Sequence, residues 1–301
     1  MANILIGGGT GFVGGFLSKA LRDRGHEVAH LSRTENLDAE FPAYHWDIKK
    51  QSIDETAVGR ADYLINLAGA GIADARWTEK RKKIIIDSRV NSTKLLADTL
   101  QKIDHRPKLY LSASAIGYYG DSGEQLVDES SPAGDGFLSE SCVAWEDSTR
   151  AISALGIPLF INRTGIVLHP DGGAMQKMVL PLSFYTSTYF GDGRQWYSWI
   201  HMDDIVGIYL HAIEQHLTGT YNGVAPNPAR NKEIAEALPK ANDQVAAVLP
   251  APAFTLKLAL GEMSHTILDS CNVSAKKIED AGYEFSQPEL MKALQHLLKG
   301  H

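Results

Sequence analysis

A run of glycines directly after an apolar segment is the feature that most restricts how this chain can fold. Residues 3–6 read Asn-Ile-Leu-Ile, residues 7–15 read GGGTGFVGG, and a helical stretch then leads to a second apolar segment at 26–31. Gly8, Gly11 and Gly14 have the spacing GxxGxxG. Glycines so placed let the turn tighten, the backbone approach a pyrophosphate and the helix pack on the strand. The pattern predicts a dinucleotide-binding loop, with a ligand-free tight turn as the alternative.

The contacts of such a loop come from backbone groups around the helix N-terminus. We expect them from Gly8, Thr10, Gly11, Phe12, Val13 and Gly14. The end of the second strand selects the cofactor, because an acid there would bind the free ribose hydroxyl of NAD. This chain has Ser32 and Arg33 instead, and a guanidinium pairs well with the 2′-phosphate of NADP. The sequence predicts NADP(H), and an ordinary exposed arginine is the alternative.

Further apolar segments at 43–46, 63–67, 108–112 and 158–162 alternate with helical stretches such as 79–102. Alternating strands and helices indicate an α/β protein with a Rossmann-type, doubly wound parallel sheet. We expect residues 1–170 to form this domain, completed by about 195–225. Residues 171–194 and 226–301 are predicted to form a smaller C-terminal substrate lobe.

Polar and small residues follow several of these strands, at the edge where parallel sheets bind ligands. Asp47 and Ile48 are expected to contact the adenine, and the backbone of Leu67, Ala68 and Gly69 to lie on the nicotinamide side. Two further residues at strand ends complete the predicted site: Ser114, with a hydroxyl near the reacting carbon, and Arg163, with a cofactor contact. Ordinary turn chemistry at the ends of strands is the alternative for each position.

Composition excludes several other classes of function. The net charge is −7 and no dense cationic face is evident, which argues against nucleic acid as a ligand. No apolar run approaches the roughly 18 residues of a membrane helix, and no signal peptide is evident. Two cysteines without CxxC spacing favour a reducing, cytoplasmic compartment. The eleven histidines form no pair at ligand spacing, so we predict no metal site.

Motifs over most of the chain resemble the extended short-chain dehydrogenase/reductase superfamily, and more closely its atypical YfcH-like epimerase branch, also called SulA-type. The motifs, in chain order, are GGGTGFVG, INLAGAGIADARWTEKRKKIIIDSR, SASAIGYYG, FLSESCVAWED, NRTGIVLHPDGGAMQKM, GRQWYSWIHMDD and PAPAFTLKLALGEMSHTILDSCNVSAKKIEDAGYEF. The resemblance implies a Rossmann domain that binds NADP(H), a C-terminal substrate lobe and hydride chemistry at a sugar carbon. It implies a small-molecule substrate, with nucleotide sugars as a candidate class.

The proton-transfer pair of that superfamily is missing. Its members carry Tyr-x-x-x-Lys about 25 residues after a serine that Ser114 matches, but counting forward here reaches Phe137 and Ser141. Neither residue can act as a phenol tuned by a lysine. Tyr118 and Tyr119, just beyond Ser114, are therefore the candidate replacements, with packing under the loop as the alternative. Asp203 is predicted to cap the helix that follows it.

Two hypotheses follow from these observations. The intact glycine loop favours an NADP(H)-dependent oxidoreductase or epimerase with a rearranged acid–base set. The missing pair favours an NADPH-binding regulatory protein that acts through a partner, with cell division suggested by the SulA-type name. The sequence predicts no oligomeric state.

Overall fold

The computed structural model describes residues 1–300, so residue 301 of the predicted C-terminal lobe lies outside the described residues. The strands, in chain order, are β1 Asn3–Gly7, β2 Glu27–Ser32, β3 Ala43–Asp47, β4 Ser52–Ile53, β5 Tyr63–Asn66, β6 Leu109–Ala115, β7 Leu126–Val127, β8 Leu159–Thr164, β9 Ile166–His169, β10 Thr186–Phe190, β11 Trp196–Tyr197, β12 Trp199–His201, β13 Gly219–Gly223, β14 Ala229–Arg230, β15 Ala247–Ala251 and β16 Asn272–Val273.

The α-helices are α1 Phe12–Asp23, α2 Glu55–Arg60, α3 Glu79–Lys102, α4 Phe137–Ser148, α5 Arg150–Ala154, α6 Gly173–Val179, α7 Met202–Glu214, α8 Asn231–Ala241, α9 Ala253–Leu260, α10 His265–Leu268, α11 Lys276–Asp280 and α12 Leu290–Lys299. Short 3₁₀ helices span Ile116–Tyr119, Leu180–Phe184 and Gly261–Ser264.

An eight-stranded sheet forms the centre of the protein, in the order β13-β8-β6-β5-β1-β2-β3-β4. Neighbouring strands in it are parallel except β3 and β4, which are antiparallel. The order runs outward in both directions from β1 and β5, as expected when crossover helices cover both faces. The predicted doubly wound α/β fold is confirmed.

Both faces of the sheet are buried, and alternate side chains of β1 point to opposite sides. Ile4 and Ile6 belong to a core that includes side chains of α1, α7 and α11, whereas Leu5 belongs to a core with side chains of α2, α3 and α5. A period of two explains this alternation. Because both sides are apolar, β1 is a continuous hydrophobic run rather than an alternating one.

A third hydrophobic core lies in the part of the chain after Ile166 and includes side chains of α6, α8 and α12. Four two-stranded pairs lie outside the central sheet: β7 with β16, β9 with β12, β10 with β15, and β11 with β14. The pair β7–β16 joins the N-terminal half to the C-terminal segment. The exact boundaries between nucleotide-binding domain and substrate lobe stay a prediction.

The start of α7 corrects one expectation. The sequence predicts Asp203 as the helix cap, but the helix begins at Met202 and the capping residue is His201, whose Nδ1 accepts from the Asp203 N–H at 3.0 Å. Asp203 lies in the first turn, where its charge complements the helix dipole. A histidine was overlooked because its ring nitrogen caps less commonly than a carboxylate does. Among residues 1–300, no helix is both long and apolar enough to span a membrane.

Candidate functional site

The glycine loop between β1 and α1 adopts a conformation that larger residues would disrupt. Gly8 has φ 83°, and a Cβ built on it would lie 2.9 Å from the carbonyl carbon of Leu67. A Cβ on Gly14 would lie 2.3 Å from the carbonyl oxygen of Gly8, which already accepts from the Gly11 N–H at 2.9 Å. Such contacts leave no room for a side chain. The loop therefore requires the glycines that the sequence singled out.

The N-terminus of α1 has donors available for an anion. Gly11 precedes the helix, and no side chain caps it. The first N–H groups of a helix have no partner within it, so those around Phe12 and Val13 face the end of the helix axis, where the dipole is positive. A cleft of about 280 Å³ opens beside this turn; it is lined by Thr10, Gly11, Phe12, Gly15, Phe16 and Lys19. This geometry can bind a phosphate group.

The end of β5 lies directly beside the glycine loop. The Leu67 N–H donates to the carbonyl of Gly7 at 2.8 Å, and the Ala68 N–H donates to Oδ1 of Asn66 at 3.2 Å. The structure thus brings Leu67 and Ala68 next to Gly8, as expected for strands that are neighbours in a parallel sheet, and Gly69 follows them in the same loop.

The residues predicted to bind the adenosine part of the cofactor lie at the carboxyl ends of β2 and β3. Arg33 is exposed and has no carboxylate within 4.0 Å among residues 1–300, and the Ser32 hydroxyl accepts from the Thr34 N–H at 3.3 Å. Asp47 accepts from the N–H groups of Lys49 and Lys50, which orders the turn that contains Ile48. Arg33 is therefore free to pair with a phosphate.

At the other end of the site, a buried charge pair holds the serine that the sequence identified. Glu146 on α4 accepts from the Ser114 hydroxyl at 2.6 Å, and Arg163 on β8 donates to both Glu146 oxygens at 2.8 Å. The Arg163 side chain is 5% exposed and that of Glu146 is 13% exposed. Burial opposes the charge of Arg163, but hydrogen bonding and the charge of Glu146 outweigh it and raise its pKa.

Tyr119 extends this network away from Ser114. Its hydroxyl accepts from Nη1 of Arg163 at 3.0 Å and donates to Oδ1 of Asn222 at 2.7 Å. The Asn222 N–H in turn donates to Glu129 at 2.7 Å. Burial raises the pKa of Tyr119 to about 12. Its hydroxyl thus stays protonated at neutral pH and has both a donor and an acceptor partner, and a catalytic role for it stays a prediction.

Tyr118 differs from its neighbour in both packing and hydrogen bonding. Its ring stacks on the guanidinium of Arg163, with the Cζ 3.4 Å from the ring centroid. The side chain is half-buried, and within residues 1–300 its hydroxyl makes no hydrogen bond. Tyr118 therefore keeps a phenol available beside the Ser114 network. Each guanidinium nitrogen of Arg163 donates one hydrogen bond to Glu146 or Tyr119, and the cofactor contact predicted for this residue stays a prediction.

The face of α4 that lies against the site carries neither a tyrosine nor a lysine. Leu138, Cys142 and Glu146 recur at four-residue spacing; the first two are the neighbours of Gly117, and Glu146 binds Ser114. These residues, rather than Phe137 and Ser141 reached by counting, occupy that face. Burial raises the pKa of the Cys142 thiol to about 12, so it is no proton donor near neutral pH. The tyrosine–lysine pair is therefore missing both from the residues reached by counting and from the residues that occupy this face of α4.

Sequence reasoning missed Glu146, although it lies within the segment FLSESCVAWED. One signal was available: Arg163 falls in a buried strand, and a buried guanidinium requires a counter-charge. The partner could have been sought among acids on a helix face. Choosing Glu146 from the others required the tertiary structure.

A cluster of His201, Asp203 and His296 has the side-chain separations of a metal site, with ligand atoms within 4.8 Å of one another. Sequence spacing could not reveal it, because His296 comes from α12. Both ring nitrogens of His201 already have partners, since Nδ1 accepts from the Asp203 N–H and Nε2 lies 3.1 Å from Nδ1 of His296. Helix capping and packing therefore account for the cluster.

Comparison with known proteins agrees with this geometry. Residues 4–138 match the model of the "NAD dependent epimerase/dehydratase family", and residues 251–297 match a domain of unknown function, DUF1731. Epimerase family protein YfhF of Bacillus subtilis is 36% identical over 300 residues, covering 98% of this chain and 98% of that one.

Solved structures include human epimerase family protein SDR39U1 (isoform 2) with NADPH, at TM-score 0.88 and 32% identity, covering 99% of this chain and 100% of that chain. A nucleoside-diphosphate sugar epimerase from Corynebacterium glutamicum has TM-score 0.80 and 31% identity, covering 99% of this chain and 58% of that one. The chain belongs to the NAD-dependent epimerase/dehydratase family, in the same branch as these epimerase family proteins.

Proposed function

We propose that this protein is an NADP(H)-dependent oxidoreductase or epimerase that acts on a small molecule in the cytoplasm, with nucleotide sugars as the candidate substrate class. The observation that carries the proposal is the loop in which Gly8 and Gly14 leave no room for a Cβ beside the free N-terminus of α1. The human relative solved with NADPH and the Corynebacterium protein named as a sugar epimerase support it.

In this proposal the chain's own residues bind and orient, and the bound nicotinamide supplies hydride acceptance and donation. The N–H groups at the start of α1 hold the pyrophosphate, and Arg33 with Ser32 holds the 2′-phosphate. Asp47 and Ile48 border the adenine. The backbone at Leu67, Ala68 and Gly69 borders the nicotinamide half.

Ser114 is the residue we assign to the reacting oxygen of the substrate. Because its hydroxyl proton is donated to Glu146, its lone pairs remain free to accept from a substrate hydroxyl. Tyr118, whose phenol has no partner among residues 1–300, is the candidate proton donor. Tyr119 is the weaker candidate because burial raises its pKa and its hydroxyl is engaged.

Two helical glycines provide a matched test of cofactor binding. A Cβ at Gly14 would lie 2.3 Å from the Gly8 carbonyl oxygen, whereas one at Gly59 in α2 would make only an ordinary contact, 3.5 Å from Cδ1 of Ile103. Titration of NADPH fluorescence should show at least about a 100-fold weaker Kd for Gly14→Ala, equivalent to roughly 2.7 kcal/mol, and no change for Gly59→Ala. Equal binding by both variants would contradict the role of the loop.

Turnover is tested by incubating the purified protein and NADPH or NADP⁺ with a small-molecule extract of its source cells, followed by untargeted mass spectrometry. A metabolite pair that interconverts with the wild type and not with Gly14→Ala would identify both activity and substrate. Ser114→Ala should slow that conversion by about 100-fold or more, the usual range for a lost positioned group.

A regulatory function is the second candidate, and the α4 face that lacks tyrosine and lysine favours it. Its prediction is tight NADPH binding without any changed metabolite. Persistence of every cellular activity in the Gly14→Ala strain would argue against both candidates, because each requires the bound nucleotide.

A further inference from the structure

One partly buried arginine near the site has no counter-charge. Arg89 on α3 has no carboxylate within 4.0 Å among residues 1–300, and burial lowers its pKa. Other arginines that also lack a carboxylate are exposed, namely Arg33, Arg60, Arg76 and Arg194. Withdrawing a guanidinium from water without a counter-ion is costly, so a position of this kind needs a specific reason.

The guanidinium of Arg89 lies under the loop that follows β5. Its Nη1 donates to the carbonyls of Ala70 at 3.0 Å and Ile85 at 2.9 Å. A Cβ on Gly69 would lie 3.0 Å from its Cζ, so the absence of a side chain at Gly69 leaves room for it. Within residues 1–300, Nε and Nη2 make no hydrogen bond, and their three N–H groups remain available.

The same guanidinium also contacts α4 on the side of Ser114. Its Cζ lies 4.8 Å from the ring centroid of Trp145, the residue before Glu146. Cys142, one turn earlier, experiences the charges of Glu146, Arg89 and Arg163 together. Arg163 neutralises Glu146 through its paired hydrogen bonds, so Arg89 leaves one net positive charge beside this part of α4.

We propose that Arg89 binds the nicotinamide ribosyl phosphate half of the cofactor through its Nε and Nη2 groups, and supplies the positive charge that α4 lacks. The inference rests on the proposed NADP(H) function. Oxygen atoms of a ribose or phosphate are suitable acceptors for a guanidinium, and a phosphate also supplies the missing negative charge. The nearby loop at Leu67, Ala68 and Gly69 borders the same half.

The test compares a whole cofactor with its adenosine half. Isothermal titration would measure Kd for NADPH and for adenosine 2′,5′-bisphosphate, which lacks the nicotinamide and its ribose. Arg89→Gln should weaken NADPH by about 10- to 100-fold, the loss typical of a charge-assisted hydrogen bond, and leave the bisphosphate within about 3-fold. Arg33→Ala should weaken both ligands.

Ser88→Ala is the matched control for a structural role of Arg89. The Ser88 hydroxyl accepts from the Ala70 N–H at 2.9 Å, so it fastens the same loop residue without a charge. It should change either Kd by no more than about 3-fold, the effect of losing one modest hydrogen bond. If Ser88→Ala weakens NADPH as much as Arg89→Gln does, Arg89 only holds the loop and the inference is overturned.

The remaining outcomes are also decisive. Unchanged NADPH binding by Arg89→Gln overturns the inference and leaves the proposed function standing, whereas a wild type that binds neither ligand overturns the proposed function itself. If Arg89→Gln loses the bisphosphate too because it does not fold, Arg89→Lys decides. That variant keeps the charge but not the planar guanidinium, so it should bind NADPH about 3- to 10-fold more weakly and leave the affinity for the bisphosphate unchanged. An NADPH affinity equal to that of the wild type would contradict the assigned role of Arg89.

Discussion

The two ends of the candidate site are built in different ways. At the end that contains the glycine loop, the contacts that shape the loop join Gly8, Gly11 and Gly14, which lie within a few residues of one another. At the other end, Ser114 donates to Glu146, which is paired with Arg163 from a separate element. The first end depends on where side chains are absent. The second depends on buried polar groups that satisfy one another.

The two ends should therefore tolerate substitution at different positions. A loop that requires glycines is disrupted by a side chain at any of those positions, whereas nearby positions with open space around their Cβ tolerate substitution. A buried polar network is destabilised when one member is removed, because the remaining partner is left with an unpaired charge or an unpaired hydrogen-bond donor.

The largest effect is expected at the network. Glu146→Ala leaves the guanidinium of Arg163, whose side chain is 5% exposed, without its counter-charge. We expect the free energy of unfolding to fall by about 3–5 kcal/mol, the usual result of breaking a buried ion pair. Denaturant unfolding followed by circular dichroism measures it.

The neighbouring residue supplies the control. Asp147 pairs with Arg150 at 2.6 Å, but that pair is exposed. Asp147→Ala should therefore change stability by no more than about 1 kcal/mol. Similar losses for the two variants would show that burial does not distinguish them, and the comparison between the two ends would fail.

The next effect is expected at Arg33, near the glycine loop. Arg33→Ala should weaken NADPH by about 10- to 100-fold, because a charge-assisted contact with the 2′-phosphate is worth about 1.5–3 kcal/mol. NADH lacks that phosphate, and its Kd should stay within about 3-fold. Stability should not change, since Arg33 is exposed and has no carboxylate partner within residues 1–300. An equal loss of affinity for NADPH and NADH would contradict the assignment of Arg33 to the 2′-phosphate.

A smaller effect concerns pH. Burial lowers the pKa of His201, so the folded protein binds its proton less readily than the unfolded chain, whose histidines titrate near about 6.5. Stability from this group is complete above that pH and falls as the pH drops through the lowered pKa, by up to about 1.4 kcal/mol per pH unit.

His201→Asn retains an acceptor for the Asp203 N–H but does not titrate. Between pH 7 and pH 5, urea midpoints should therefore fall less steeply for this variant than for the wild type. Parallel curves would indicate that His201 is not responsible for the loss of stability in acid.

The smallest effect is a gain. Gly15 lies inside α1, and a Cβ there meets nothing within 4 Å. Gly15→Ala should raise the free energy of unfolding by about 0.5–1 kcal/mol through the entropy of the unfolded chain. Thermal denaturation would measure the gain, and a lower midpoint would mean that the loop is less tolerant than its open space suggests.

Much of the fold could be predicted because its signals are local. The helix predicted at 79–102 is α3 with those bounds, and Thr78 caps it by accepting from the Arg81 N–H. The predicted strands match members of the central sheet to within a few residues. Apolar periodicity and capping act over one or two turns, so a single sequence contains them.

Other features could not be predicted in the same way. The partners of Arg163 and the fully engaged hydroxyl of Tyr119 involve residues far apart in the sequence. The capping nitrogen of His201 depends on a ring orientation that also involves His296. Each depends on a distance between elements, which periodicity does not contain.

The residues alone were enough to predict the parallel α/β fold, the glycine loop and the lack of a tyrosine–lysine pair on α4. These features depend on backbone sterics and on which residue types are present, and both are local properties of the chain. The packing of the elements was needed to show that Ser114 donates to Glu146, that Tyr119 is buried in a network and that Arg89 lacks a counter-charge. Whether a charged group is buried and paired depends on residues that are distant in the sequence and come together only in the folded protein.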